Sequence, residues 1–292
     1  MKTVIATVSC LLAALSTVCG QGISVALQLE QENYLPGESL PVKVRITNFT
    51  GQNLRLGEGE AWLTFSVEDS RHLAVPKRGT VPVGGEFVLE PSTTGTKKVD
   101  IAPYFDLTQP GRYQVSATVM VPQWRDPVQA KGISFDIIKG SSLWDQEFGV
   151  PGTGKGETSF PEVRRFALVQ TLHSKVIRLY FRLTDSKENY VYRVFPLGQM
   201  VSFSNPEPQV DKFSNLHVLY QTSGRLFMHC VINPDGVLLA RETYEYSSSR
   251  PVLHAENDGR ITVNGGMRRF MSTDLPPPMS STQPANAKLP QP

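Results

Sequence analysis

Cysteine is nearly absent from this sequence: 292 residues include 3, and two of them, Cys10 and Cys19, fall in the amino-terminal apolar stretch. Cys230 is then the lone cysteine of residues 21–292, which excludes an internal disulfide there. Its neighbours, Leu226 through Ile232, are mostly apolar, so the thiol reads as a small buried hydrophobe. A chain of this length needs no cross-link, since it buries roughly 70–75% of its unfolded surface on folding. Charge of one sign is lacking too. Lys and Arg number 29 against 27 Asp and Glu, and like charges form no long block, so a nucleic acid is not an implied partner. Beyond the amino terminus every apolar run is soon broken by charge, so no transmembrane helix is expected.

What is present starts with an address. Met1 and Lys2 precede an apolar run, Val4 to Val18, that closes at Gly20. It is too short to span a bilayer, and Val18 and Gly20 suit signal cleavage, so residues 1–20 read as a signal peptide and the mature chain as secreted or periplasmic. Lipid attachment at Cys19 is a rival reading, against which stands the sequence Ser16-Thr17-Val18.

Residues 21–139 alternate apolar and polar, segment after segment: Val25, Leu27, Leu29; Val42, Val44, Ile46; Leu63, Phe65, Val67; Tyr113, Val115, Ala117, Val119; Ile133, Phe135, Ile137. Period two marks half-buried strands. Turn signals separate them at Pro36-Gly37, Asn48 to Gly51, Gly84-Gly85 and Pro110-Gly111, and with Phe87 to Leu89 and Val99 to Ile101 the count is about seven strands, the size of a two-sheet sandwich.

The run Tyr34-Leu35-Pro36-Gly37-Glu38 leading into Val42 to Asn48 resembles the opening of immunoglobulin-like β-sandwich domains of exported bacterial proteins, including macroglobulin-type and proteinase-inhibitor-type modules. Asp106 to Tyr113 is similar to the turn before the penultimate strand of such domains. The resemblance covers residues 24–139 and implies structural roles for Pro110, Gly111 and Tyr113, the last as a tyrosine corner bonded to upstream backbone. It implies a fold and says little of activity.

Residues 140–161, dense in Gly and Pro, read as a linker. From 162 to 270 strands resume. Arg178-Leu179-Tyr180-Phe181 returns as Arg225-Leu226-Phe227-Met228, Tyr190 to Arg193 corresponds to Val237 to Arg241, and Leu216 to Val218 to Ile261 through Val263. A period in the forties resembles β-propeller blades, two of which would form an antiparallel meander. Gly236 and Gly259 close the hairpin turns Asn233-Pro234-Asp235-Gly236 and Asn257-Asp258-Gly259. Residues 271–292, rich in proline, read as a disordered tail.

Catalytic chemistry finds little footing. Gly149 to Gly156 mimics a phosphate loop, but Gly156 stands where Ser or Thr must hold magnesium, and a linker is the better reading. No Gly-x-Ser-x-Gly elbow occurs. The histidines His72, His173, His217, His229 and His254 lack helical zinc spacing; His217 and His229 meet only if their strands pair, and a metal would then need a carboxylate such as Glu242 or Asp235. Scattered acids, including Glu162, Asp185, Glu207, Asp211, Glu242, Glu245 and Asp258, leave glycoside cleavage open, each also reading as solvated surface. Glu256-Asn257-Asp258 offers too few oxygens for calcium. Tyr220, Arg241, Tyr244, Tyr246, Arg250 and His254 form a candidate interaction surface, since Tyr and Arg favour recognition; packing is the competing role of those aromatics. Asn48-Phe49-Thr50 is a glycosylation sequon if the source glycosylates.

The expectation is an all-β exported protein, an immunoglobulin-like sandwich followed by a blade-like meander, acting without catalysis or cofactor to bind a protein or glycan. The alternatives are a carbohydrate-active hydrolase or its accessory subunit, and a proteinase inhibitor.

Overall fold

The computed structural model describes residues 22–150 and 162–275, except Glu60, Gln123 and Ser174. The expected signal peptide, the phosphate-loop mimic beyond Val150 and the tail beyond Leu275 lie outside the described residues. No α-helix occurs among the described residues; the chain is all-β, its four larger sheets in a propeller-like arrangement.

The first unit contains β1 (Ile23–Leu29), β2 (Asn33–Tyr34), β3 (Pro41–Asn48), β4 (Leu54–Leu56), β5 (Leu63–Asp69), β6 (Phe87–Leu89), β7 (Thr94–Asp100), β8 (Gly111–Val119), β9 (Val128–Gln129) and β10 (Ile133–Ile137). One sheet runs β1-β3-β7, a second runs β2-β10-β8-β5, with β9 on β8 and β2 parallel to β10, and β4 pairs with β6 in a small third sheet. The period-two residues explain the pairing. Val42, Val44 and Ile46 of β3, Leu63, Phe65 and Val67 of β5, and Val115, Ala117 and Val119 of β8 all enter one core, while their alternate neighbours face water or the sheet edge. Trp62, 2% exposed, caps that core and donates its indole N–H to the Val83 carbonyl at 2.9 Å. The Tyr113 hydroxyl donates to the Gln109 carbonyl, four residues upstream, at 2.8 Å. Gly111 opens β8 opposite Ile137 without a left-handed φ, so no conformational demand for glycine acts there.

The second unit contains β11 (Ser141–Val150), β12 (Glu162–His173), β13 (Val176–Asp185), β14 (Val191–Met200), β15 (Glu207–Val210), β16 (Leu216–Gln221), β17 (Leu226–Ile232), β18 (Leu238–Glu245), β19 (Val252–Ala255), β20 (Ile261–Asn264) and β21 (Met267–Arg269). Two antiparallel meanders follow one another, β11-β12-β13-β14 and β15-β16-β17-β18-β21. They bury a common core that includes Phe166, Leu179 and Phe181 from the first and Leu216, Val218, Tyr220, Cys230 and Ile232 from the second. Arg178 to Phe181 lie on the third strand of the first meander and Leu226 to Met228 on the third strand of the second, so this correspondence is structural. Leu216 to Val218 and Ile261 to Val263 do not correspond: the first lies on a meander strand and the second on the separate β19–β20 hairpin.

Two boundaries move. Ser141 to Val150, expected as linker, forms the edge strand β11, because its backbone pairs along β12 and Phe148 stacks on Phe166 with ring centroids 3.9 Å apart. Met271 to Leu275, expected as disordered tail, is tied to the edge of β18: Leu275 and Arg241 exchange both backbone hydrogen bonds, at 2.7 and 2.9 Å, and Asp274 is buried.

The units meet through a small apolar cluster in which Leu35 and Ile138 of the first pack on Ala167, Val169, Tyr180, Val191 and Val194 of the second. Gly37, at φ +83°, permits this approach, since a Cβ there would lie 2.8 Å from Val191 Cγ1.

Candidate functional site

Two places gather polar chemistry. The first is a cleft of 490 Å³ at the junction, lined by Glu30, Gln31, Glu32 and Asn33 from the first unit and by Thr171, Val176, Arg178, Tyr180 and Gln199 from the second. Arg178 crosses it, donating to Gln31 Oε1 at 2.6 Å. Gln31 Nε2 donates in turn to Glu38 at 2.8 Å, and the buried Glu38 also accepts the Leu35 N–H at 2.8 Å. Burial pushes the Glu38 carboxyl above its ordinary value, against the lowering by these donors and by Arg178. Glu30 at the rim is held down by Lys98 and Lys43.

The second place is the outer face of the later meander. The β19–β20 hairpin lies across it, packing Leu253, Ile261 and Val263 onto Leu219, Phe227 and Tyr244. Gly259, at φ +79°, closes the hairpin turn, and its carbonyl accepts the Lys212 N–H at 3.1 Å. Beside this cluster a row of polar side chains crosses the sheet. His217 Nδ1 lies 3.1 Å from His229 Nε2, His217 Nε2 lies 3.4 Å from Asp211 Oδ2, and His229 Nδ1 lies 3.4 Å from Glu242 Oε2. Both imidazoles are buried, 7% and 5% exposed. Register explains the meeting: Leu219 stands opposite His229, which puts His217 on the diagonal of the same face. The row continues as Tyr244 donates to Glu242 at 3.0 Å and Arg268 lies 3.8 Å from Glu242 and 2.8 Å from Asp274.

Burial pushes the His217 imidazole below its ordinary value, and His229 adds to the push while Asp211 opposes it. Glu242 is lowered, first by its contact with His229. Asp211 is also lowered: burial would raise it, but Asn215 and the Phe213 N–H outweigh that. Burial pushes the Tyr244 phenol up to about 12, reinforced by Glu242. Asp235, the other carboxylate expected near the histidines, instead pairs with Arg164 at 3.0 Å. Among the described residues no three His, Cys, Asp or Glu side chains are placed to hold a metal ion.

The six residues of the expected interaction surface do not share one face. Tyr220 is 1% exposed in the core between the meanders, its hydroxyl on the Leu197 carbonyl at 2.7 Å. Arg241 stands opposite Cys230 and faces inward with it. Tyr244 belongs to the histidine row. Arg250 pairs with Glu207 at 2.8 Å and covers the Phe227 ring, Tyr246 is exposed, and His254 is exposed on the hairpin. The inward face of Tyr220 is a matter of strand parity, which β16 conceals because it is buried on both faces.

Other expectations also find their places. Glu162 pairs with Arg164, Glu245 with Arg269 and Asp258 with Arg260, while Glu256 accepts from Thr262, so these acids serve local ion pairs and turns. The sequon residue Asn48 is fully buried, and its amide donates to the Gln52 and Leu89 carbonyls at 2.7 and 2.9 Å, leaving no hydrogen for a glycan bond. No helix among the described residues is long and apolar enough to cross a membrane.

No protein-family model matches the chain, and no curated protein matches it in sequence. Among solved structures it is similar to the sporulation control protein Spo0M of Bacillus subtilis, at 9% identity and a TM-score of 0.30, over 60% of this chain and 89% of that one. A likeness at that level carries no argument about function.

Proposed function

We propose that the chain is an exported, non-catalytic binding protein that engages a polar ligand, a glycan or a protein segment, in the cleft between its two units. In this reading the first unit is an immunoglobulin-like sandwich, supported by the single core its sheets share and by the Tyr113 bond to upstream backbone, and the second is a pair of blade-like meanders. Export is supported by the signal-like amino terminus. The observation that carries the binding proposal is the composition of the cleft. Both units supply its walls, its 490 Å³ suits a small ligand, and amide, carboxylate and guanidinium groups converge there around Arg178.

The test is amide NMR of the full chain against a panel of soluble oligosaccharides and short peptides, followed by calorimetry of any binder. Saturable shifts at Gln31, Asn33, Thr171 and Gln199 that disappear in Arg178→Ala support the proposal. Binding that ignores Arg178→Ala, or a panel that leaves these amides unmoved, counts against it. Turnover of an oligosaccharide in the same samples would replace it with the hydrolase alternative.

A further inference from the structure

The row from Asp211 to Glu242 can be read by counting protons. It has three gaps, Asp211 to His217, His217 to His229 and His229 to Glu242, at 3.4, 3.1 and 3.4 Å, and each gap holds one hydrogen. Two neutral imidazoles bring two N–H groups for three gaps. If both rings turn their N–H toward Asp211, a lone pair on His229 faces Glu242. If both turn the other way, a lone pair on His217 faces Asp211. If each points outward to its carboxylate, two lone pairs face each other across 3.1 Å, and if both point inward two hydrogens collide there. Every neutral arrangement therefore leaves at least one repulsive contact in a buried site, where repulsion is weakly screened. One added proton fills all three gaps. A second forces two N–H groups into the central gap and places two cations side by side.

We infer that His217 and His229 form a one-proton site, which takes up a single shared proton at neutral pH and resists a second. The surroundings agree with the count. The Phe213 and Asn215 backbone N–H groups and the Asn215 side chain hold Asp211 as an acceptor, and Tyr244 and Arg268 do the same for Glu242. Asp211, Glu242 and Asp274 against Arg268 leave the unprotonated row with an excess of negative charge, which one imidazolium reduces. On the hairpin Leu253, Ile261 and Val263 pack against the sheet, Asp258 pairs with Arg260, Glu256 accepts from Thr262 and His254 is exposed, while Arg250 before it pairs with Glu207. Burial opposes any proton on His217 and Asp211 favours one, while the push from His229 is in the sense that resistance to a second proton requires. The site ties the 211–215 turn, three meander strands and, through Arg268 and Asp274, the 271–275 segment into one network, so its protonation state is felt across the outer face.

The experiment is long-range proton–nitrogen NMR of the histidine rings of the full chain between pH 4.5 and 9, with exposed His72 and His254 as internal references. The expected result is one proton shared by the two buried rings at pH 6 to 7, with the two macroscopic steps separated by about 100-fold or more in proton affinity. His217→Gln should merge the two steps into a single one, and the native titration stands as a test whether or not that variant folds. Two buried rings that titrate within one pH unit of each other, both neutral at pH 6, or both cationic at pH 6, would overturn the inference.

Discussion

Asn48 offers the sharpest quantitative test of how the first unit is held together. The side chain sits fully buried at the end of β3 and spends all of its hydrogen-bonding capacity on chain segments that no strand pairing joins. Its amide nitrogen donates to the Gln52 and Leu89 carbonyls, and its oxygen accepts the Thr50 N–H at 2.9 Å and the Thr50 hydroxyl at 2.7 Å. Asn48→Ala removes these bonds together. The Leu89 carbonyl is the buried partner, and leaving it without a donor costs about 1–3 kcal/mol. The Thr50 and Gln52 groups lie nearer water, which substitutes in part, so each adds roughly 0.5 kcal/mol. The expected loss is about 3 kcal/mol, or a Tm lowered by roughly 10 °C. Urea unfolding followed by tryptophan fluorescence, with buried Trp62 and half-buried Trp124 as the reporters in this unit, should show a lower midpoint at unchanged slope. The controls set an order. Thr50→Val should cost about 1 kcal/mol, whereas Asn48→Asp keeps the acceptor and turns a carboxylate toward the Leu89 carbonyl, so it should cost at least as much as Asn48→Ala. An Asn48→Asp protein as stable as the parent would refute the reasoning. So would intact mass spectrometry of folded protein from a glycosylating host if it found a glycan on Asn48.

Four further outcomes are expected. Tyr113→Phe removes the bond to Gln109 and should lower stability by about 1 kcal/mol by the same urea assay, with no change in the circular dichroism of the native state. A chain ending at residue 270 should melt below one ending at 275, because the longer chain keeps the Leu275–Arg241 backbone pair and the Asp274 bonds to Thr243 and Arg268; equal melting temperatures would show that the clip adds nothing. Burial pushes the Cys230 thiol up to about 11, so a thiol reagent at pH 8 should label it only after denaturation. His217 is lowered on folding, so the unfolded chain binds the extra proton more readily; its stabilising contribution is present above the unfolded value near pH 6.5 and is lost as the pH falls toward the folded value, with a limiting slope of about 1.4 kcal/mol per pH unit. Subtracting the pH–stability curve of His217→Gln removes the separate contribution of Glu38, and a flat difference between pH 5 and 6.5 would contradict this linkage.

Much of the fold is legible in the sequence wherever one strand face meets a core and the other meets water. Val42, Val44 and Ile46 are buried while Lys43 and Arg45 are not, and that contrast is what period two records. The signal fails in two opposite circumstances. Along Ser141–Val150 Phe148 is the one buried side chain, so this edge strand shows little alternation, and Gly149 with Pro151 suggests a linker. Along Leu216–Gln221 the reverse holds: the first five residues are all buried, because the facing meander covers one side and the β19–β20 hairpin the other. Parity is erased there, and Tyr220 cannot be assigned to a face from its neighbours. Yet the same strand carries the clearest local hint of the histidine row. A histidine within Leu216-His217-Val218-Leu219-Tyr220 is enclosed by apolar residues, and a ring so enclosed must find hydrogen-bond partners. The Ser223-Gly224 turn puts His229 within one diagonal step, and the next strand brings Glu242 directly opposite His229. Asp211 could not be reached by that route, since it enters from the turn preceding β16, where its carboxylate caps the loop through the N–H groups of Phe213 and Asn215 before it meets the ring. The histidine row is thus built half from strand register, which alternation encodes, and half from loop geometry, which it does not.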